Sequence, residues 1–268
     1  MHVPNVIVFG ETGVGKSSVI NMLAGAPVAT ASNSVQGVTF QSAAYEIKIG
    51  DGQFKIYDTI GLGEDSAGSV PATTAVKNIY QLMVEVEGGV DLLVYVLRGP
   101  RLGAAARKNY QMFYEILCQK KVPIVIIITG LEAEHDRNAW WSTNKAYFDK
   151  RGMEFVAAAC ITASPGKGGV YQKEYEESQK AVQDLILRWS SRGPWHPPTT
   201  TGWFTTACID MITQLFPSAT FGFSKSVKEA LVCAGMSVKD ATVEANKIER
   251  QIRRQLRERQ RAKRLSLG

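Results

Sequence analysis

No stretch of the 268 residues approaches the roughly 20 consecutive apolar positions that a membrane-spanning helix needs, and a spanning helix is therefore not expected. The N-terminus has no basic region leading into a signal-type apolar run, so no leader is expected either. Cysteine is sparse. Cys118, Cys160, Cys208 and Cys233 are too far apart for a zinc knuckle or a redox pair and read as reduced thiols of a cytosolic protein. Histidine is sparser still, and His2, His135 and His196 share no spacing suited to metal ligation or to a nucleophile–base pair. Repeats and low-complexity tracts are missing. An excess of charge is missing too, except at one end. From Lys239 onward ten basic residues face four acidic ones, which accounts for the whole net charge of +6. The balanced remainder gives no reason to expect a nucleic-acid surface on the body of the protein.

What is present begins at the apolar run Val6-Ile7-Val8-Phe9. It leads directly into Gly10-Glu11-Thr12-Gly13-Val14-Gly15-Lys16-Ser17, followed by Ser18, and those eight residues have the form G-x-x-x-x-G-K-[ST] between a strand and a helix. Glycines let the backbone curl until successive N–H groups face one anion. The dipole of the helix opening at Lys16 adds positive potential at the same point. Such a loop holds a nucleoside triphosphate, with Lys16 reaching the β- and γ-phosphates and the Ser17 hydroxyl on Mg²⁺.

Strand-like runs alternate with helix-like stretches, which predicts an α/β fold with a mostly parallel sheet. Strands are expected over 5–9, 42–49, 54–58, 91–97, 122–129 and 155–159. Asp51-Gly52 marks a hairpin between the second and third, and so one antiparallel edge. Helices are expected over 16–23, 72–86, 104–119, 138–149 and 171–190. The Pro- and Gly-rich stretch from Ser191 to Pro198 separates a nucleotide-binding domain, 1–190, from a helical extension, 191–268. In the extension, Trp203, Ala207, Met211 and Leu215 form one apolar row, and Phe204, Cys208, Ile212 and Phe216 a second. Residues 239–264 read as a basic helix with a thin stripe of Ile248, Ile252 and Leu256. That segment suits an anionic membrane surface or an acidic protein; RNA would satisfy the same charges.

Asp58-Thr59-Ile60-Gly61 follows the third strand and fits D-x-x-G. Asp58 is expected to hold Mg²⁺ through water, and the Gly61 N–H to sense the γ-phosphate. Thr39, in Gly37-Val38-Thr39, is expected to complete the metal shell when the γ-phosphate is present, with Ser34 and Thr30 as substitutes.

With these motifs the chain resembles the P-loop GTPases of the translation-factor-related class, and most the septin, chloroplast-import-receptor and immunity-associated group. The resemblance covers about residues 5–190 and implies GTP/GDP and Mg²⁺ on a six-stranded, helix-sandwiched sheet. The group's guanine-reading motif, [NT]-K-x-D, corresponds here to Thr129-Gly130-Leu131-Glu132. A carboxylate at the last position accepts hydrogen bonds from guanine N1–H and its exocyclic amine. Gly130 stands where a lysine stem covers the base, which predicts weaker binding. Asp136 is a poorer candidate for the carboxylate. Thr162-Ala163-Ser164 matches the fifth motif, in which a backbone N–H, here that of Ala163, meets guanine O6. Leu62 occupies the position where many GTPases orient the attacking water with glutamine. The resemblance therefore implies slow basal hydrolysis and a homodimer formed through the nucleotide face, with Arg101 or Arg98 supplied in trans. An Era-like ribosome-assembly GTPase is an alternative, suggested by Lys16-Ser17-Ser18 with Asn21 and by the basic tail. A nucleotide-dependent scaffold with little hydrolysis is another. A cytoplasmic protein with possible peripheral membrane contact fits each reading.

Overall fold

A computed structural model of the chain describes residues 2–29, 43–59, 82–83, 85–86, 88–99, 106–132, 134, 136–196, 201–215, 223–233 and 236–265. Expectations for Thr30, Ser34, Thr39, Gly61, Leu62, Arg101 and His135, and most of the helix expected over 72–86, lie outside the described residues. Two compact units are present. One contains Met1–Glu64 and Gly88–His196, the other Asp65–Glu87 and Pro197–Gly268.

The first unit is built on β1 (Asn5–Phe9), β2 (Ala43–Ile49), β3 (Gly52–Asp58), β4 (Leu92–Arg98), β5 (Ile124–Thr129) and β6 (Ala157–Cys160), in the order β2-β3-β1-β4-β5-β6. All pairings are parallel except β2 with β3. The expected architecture, a mostly parallel six-stranded sheet with one antiparallel edge, holds.

The central strands carry apolar residues on both faces because helices cover both faces. On one face Val6, Val8, Leu92, Val94, Val96, Val125 and Ile127 pack with Val19, Ile20 and Leu23 of α1 (Lys16–Ala24). Val182, Leu185 and Ile186 of α4 (Gln172–Trp189) complete that layer. The alternate positions form an aromatic core: Phe9 stacks on Tyr95 and on Phe113 at centroid distances of 4.8 and 4.4 Å. Phe155 joins it, touching Tyr95, Tyr110 and Phe148. Tyr110 belongs to α2 (Ala106–Tyr110), Phe113 to its continuation and Phe148 to α3 (Arg137–Asp149).

Four boundaries differ from expectation for physical reasons. The hairpin turn is Gly50-Asp51, one residue earlier, with Gly50 at φ 59, as the turns favoured between twisted strands require. β5 starts after Pro123, which has no N–H for the ladder; its carbonyl still accepts from Leu93 N at 2.9 Å. β6 starts at Ala157 because Phe155 is drawn into the aromatic core. After Tyr110 the helix widens to a π-helix over Gln111–Leu117, keeping Met112, Phe113, Ile116 and Leu117 buried. Cys118 and Cys160 are free thiols; burial raises both, Cys160 to about 11.

In the second unit α5 (Thr201–Leu215), α6 (Phe223–Cys233) and α7 (Val238–Leu265) form a helical cluster in which α7 lies against both others. α6 was not expected, although Val227 and Leu231, four apart, are both buried. On α5, burial includes Ala207, Met211 and Leu215 of the expected row and extends to Ile209 and Thr213. On α7, Ala241, Ala245, Ile248 and Ile252 are buried. Ile248 and Ile252 of the expected stripe are thus taken up by packing within the chain, while Arg250, Arg254, Arg257 and Arg261 remain at the surface.

Truncating the centre of the sheet is therefore expected to be costly. Ile127→Ala, at a fully buried position, should destabilise the protein by about 2–5 kcal/mol. Chemical denaturation checks this through the midpoint, with the slope unchanged.

Candidate functional site

The site lies at the C-terminal ends of β1, β3, β4 and β5. β1 ends at Phe9 and the chain must turn at once. A β-carbon on Gly10 would lie 2.2 Å from the Val96 carbonyl oxygen, and Gly10 has φ 150. Gly13 and Gly15 follow at φ 78 and 101, and Gly15 is the left-handed N-cap of α1. No side chain caps the helix there, and the opening turn of a helix presents its N–H groups and positive dipole end to an anion. Thr12 and Gly13 are exposed at the loop's tip, Glu11 is half-buried, and Val14 is buried beneath.

Lys16 runs back under the loop and is 8% exposed. Its ammonium donates to Gly10 O at 3.0 Å and Glu11 O at 2.9 Å. This fixes the cation beneath the curled backbone. Ser17 and Ser18 are half-buried in the first turn. Ser17 Oγ donates to Asp58 Oδ2 at 3.3 Å. Asp58 ends β3 beside β1, through the register Val8↔Asp58. Its other oxygen, Oδ1, is buried with no hydrogen-bond partner. Burial raises the Asp58 pKa; the Lys16 charge and the Ser17 hydrogen bond oppose that rise. Thr59 then pins the chain to β1, both its N–H and its hydroxyl donating to Val8 O, at 3.1 and 3.0 Å.

At the opposite side, Thr129 is buried, and its hydroxyl donates to Val14 O at 2.6 Å. It ties the end of β5 to the glycine-rich loop. Gly130 follows at φ 72, Leu131 is buried and Glu132 is half-buried. Asp136 is engaged elsewhere, since its carboxylate caps α3 by accepting from Asn138 N and Ala139 N. Ala163 is half-buried after β6, and the neighbouring Thr162 N–H donates to Ser178 Oγ at 3.0 Å.

Three supports were not anticipated from the motifs. Asn21 brackets Ala29, donating to its carbonyl and accepting from its N–H at 2.8 and 2.6 Å. Gln179 Nε2 donates to Met22 O at 2.6 Å, joining α4 to α1. Arg98, the last residue of β4, lies across Gly130. An asparagine near a helix end was visible in the sequence. The other two contacts are long-range and left no local signal.

Residues 5–130 match the family model described as 50S ribosome-binding GTPase. GTPase Der of Campylobacter curvus is 27% identical over 137 residues, covering 51% of this chain and 27% of that protein. Immune-associated nucleotide-binding protein 7 of Arabidopsis thaliana is 25% identical over 182 residues, covering 67% of this chain and 57% of the relative. The chain thus spans about a quarter to rather more than half of the length of these curated relatives. Among solved structures, a dimerization-deficient mutant of Toc33 from Arabidopsis thaliana superposes with a TM-score of 0.52 at 20% identity, over 73% of this chain and 88% of that one. That likeness establishes the shared fold. With the loop and Asp58 in place, the chain is related to the P-loop GTPases.

P-loop GTPases work with Mg²⁺, and the donor set fits that ion. A hydroxyl and a buried carboxylate stand together, and the carboxylate keeps one oxygen unpartnered. Among the described residues, no separate cluster of His, Cys, Asp and Glu could hold a metal. No described helix is long and apolar enough to cross a membrane.

A buried carboxylate with an unpartnered oxygen is a liability to the fold. The folded-state pKa of Asp58 lies above that of the unfolded chain, so folding takes up a proton between the two values. Stability accordingly falls as pH rises through that window. Asp58→Asn should stabilise the metal- and nucleotide-free protein at neutral pH by on the order of 1 kcal/mol. The gain should vanish on acidification through the same window. Thermal unfolding with and without GDP and Mg²⁺ checks this, and the wild type should be the more stable when both are added.

Proposed function

We propose that this protein is a GTP-binding switch with slow, Mg²⁺-dependent GTP hydrolysis, stimulated when two copies meet through their nucleotide faces. The observation that carries the reading is the buried Lys16 ammonium under the glycine loop, beside a Ser17–Asp58 pair with one open carboxylate oxygen. In this reading the N–H groups of Gly13–Ser17 hold the β-phosphate, and Lys16 neutralises charge on the β- and γ-oxygens. Ser17 and Asp58, with Thr39, would hold Mg²⁺, Asp58 through water, and the ion would supply charge neutralisation at the phosphates. Glu132 reads the guanine edge, Thr129 supports it, and the Ala163 N–H meets O6.

Hydrolysis is slow because Leu62 cannot orient water. Thr39 and Gly61 sense the γ-phosphate and convert its presence into a change of surface. Arg101 from a second copy supplies the missing transition-state charge, an effect worth roughly 10³–10⁵ in rate where such arginines act. The basic surface of α7 serves an acidic protein or anionic lipid rather than RNA. The Toc33 structure, an arginine-to-alanine mutant described as dimerization-deficient, supports weighing the dimer above the scaffold and Era-like alternatives.

Equilibrium binding of fluorescent GTP, GDP and ATP analogues tests the guanine reading. GTP and GDP should bind with Mg²⁺ in preference to ATP, and Glu132→Ala should remove the preference. Equal binding of GTP and ATP, indifferent to Glu132, would leave an unselective scaffold instead. Turnover per subunit should also rise with protein concentration, and Arg101→Ala should flatten that rise; a wild type with no such dependence would remove the dimer from the account.

A further inference from the structure

The glycine in Thr129-Gly130-Leu131-Glu132 removes the lysine stem that covers the base in the resembled motif, yet the space above it is not empty. Arg98 closes β4 in register with Thr129 of β5, and Gly99 N–H donates to Thr129 O at 2.8 Å. This brings the Arg98 side chain over residue 130. A β-carbon there would lie 2.9 Å from Arg98 Cγ, 3.3 Å from Arg98 Nε and 3.3 Å from Gly99 O. Gly130 also has φ 72, a conformation strained for any residue with a side chain. Lysine at 130 and arginine at 98 are therefore alternatives, and this chain has the second. Arg98 is exposed and has no ion-pair partner among the described residues.

We infer that Arg98, reaching across from β4, covers the face of the nucleobase in place of the lysine lost at Gly130. The inference rests on the nucleotide site proposed above and adds a binding residue to it. A guanidinium suits the role. It is planar and always charged, and it is less strongly hydrated than an ammonium, so it stacks on a π-face at small desolvation cost. Its aliphatic stem supplies apolar cover at the same time. A stacked cation reads the face of a purine and not its edge. Arg98 therefore sets how tightly the base is held, while Glu132 sets which base is held. The weaker binding expected from Gly130 alone is offset from a neighbouring strand.

The test is isothermal titration of the full chain, with Mg²⁺, using GDP, IDP and inorganic tripolyphosphate. Arg98→Ala should weaken GDP and IDP about tenfold each, leaving their ratio and the tripolyphosphate affinity unchanged. Arg98→Lys, which keeps a long stem and a charge but not the plane, should fall between. Gly130→Lys should lose affinity rather than gain it, because its side chain meets Arg98. GDP binding by Arg98→Ala equal to that of a wild type that does bind would overturn the inference alone. Equal losses for GDP and tripolyphosphate would also overturn it, by placing Arg98 on the phosphates. A wild type that binds no GDP would overturn the nucleotide site and this inference with it. Thermal unfolding of each variant separates these results from a loss of fold.

Discussion

The Val96 carbonyl leaves no room for a β-carbon on residue 10, and the rest of the site depends on that contact. β1 runs between β3 and β4 as a buried strand, so its end can turn only where the backbone approaches β4 closely. Gly10 permits the approach and the loop begins there. Lys16 then fits beneath it, because the carbonyls of Gly10 and Glu11 face inward as acceptors. The same turn sets the direction of α1 and hence the place of Ser17 opposite Asp58. Thr129 closes the ring by bonding to Val14 O. The arrangement is a chain of backbone contacts with side chains locked to it.

That chain of contacts explains why the site carries an unfavourable charge. Asp58 is buried with one oxygen unpartnered, and its carboxyl is harder to ionise as a result. A fold under no demand but stability would fill such a place with an apolar or fully bonded group. In the proposed function, that oxygen is the place kept for a cation that arrives with the ligand. Thr59, next along, fixes the end of β3 to β1 through its two hydrogen bonds to Val8 O.

Much of the fold was legible because the parallel core writes itself as continuous apolar runs. Val6–Phe9, Leu92–Leu97 and Ile124–Ile128 are buried on both faces, and the runs could be read directly. The residues that failed to follow local patterns answer to distant partners. Phe155 left its expected strand for an aromatic core assembled from three other segments. The helix after Tyr110 widened as Phe113 stacked on Phe9. In the site, the spacing of Gly10, Lys16, Ser17 and Asp58 was visible as motif. The carboxylate of Asp136 was legible in kind but not in use, since a helix N-cap claims it. Arg98 over Gly130 was not legible at all. It arises from the register of two strands whose interacting ends are about thirty residues apart in the chain.

The claim on which everything else stands is that the loop from Gly10 to Ser17 is a phosphate cradle closed by Lys16. Its most direct test is equilibrium binding of GDP with Mg²⁺ to the full chain and to Lys16→Ala, with folding of both verified by circular dichroism. The wild type should show saturable one-to-one binding that the variant loses. Binding of equal strength by a folded Lys16→Ala protein would contradict the claim.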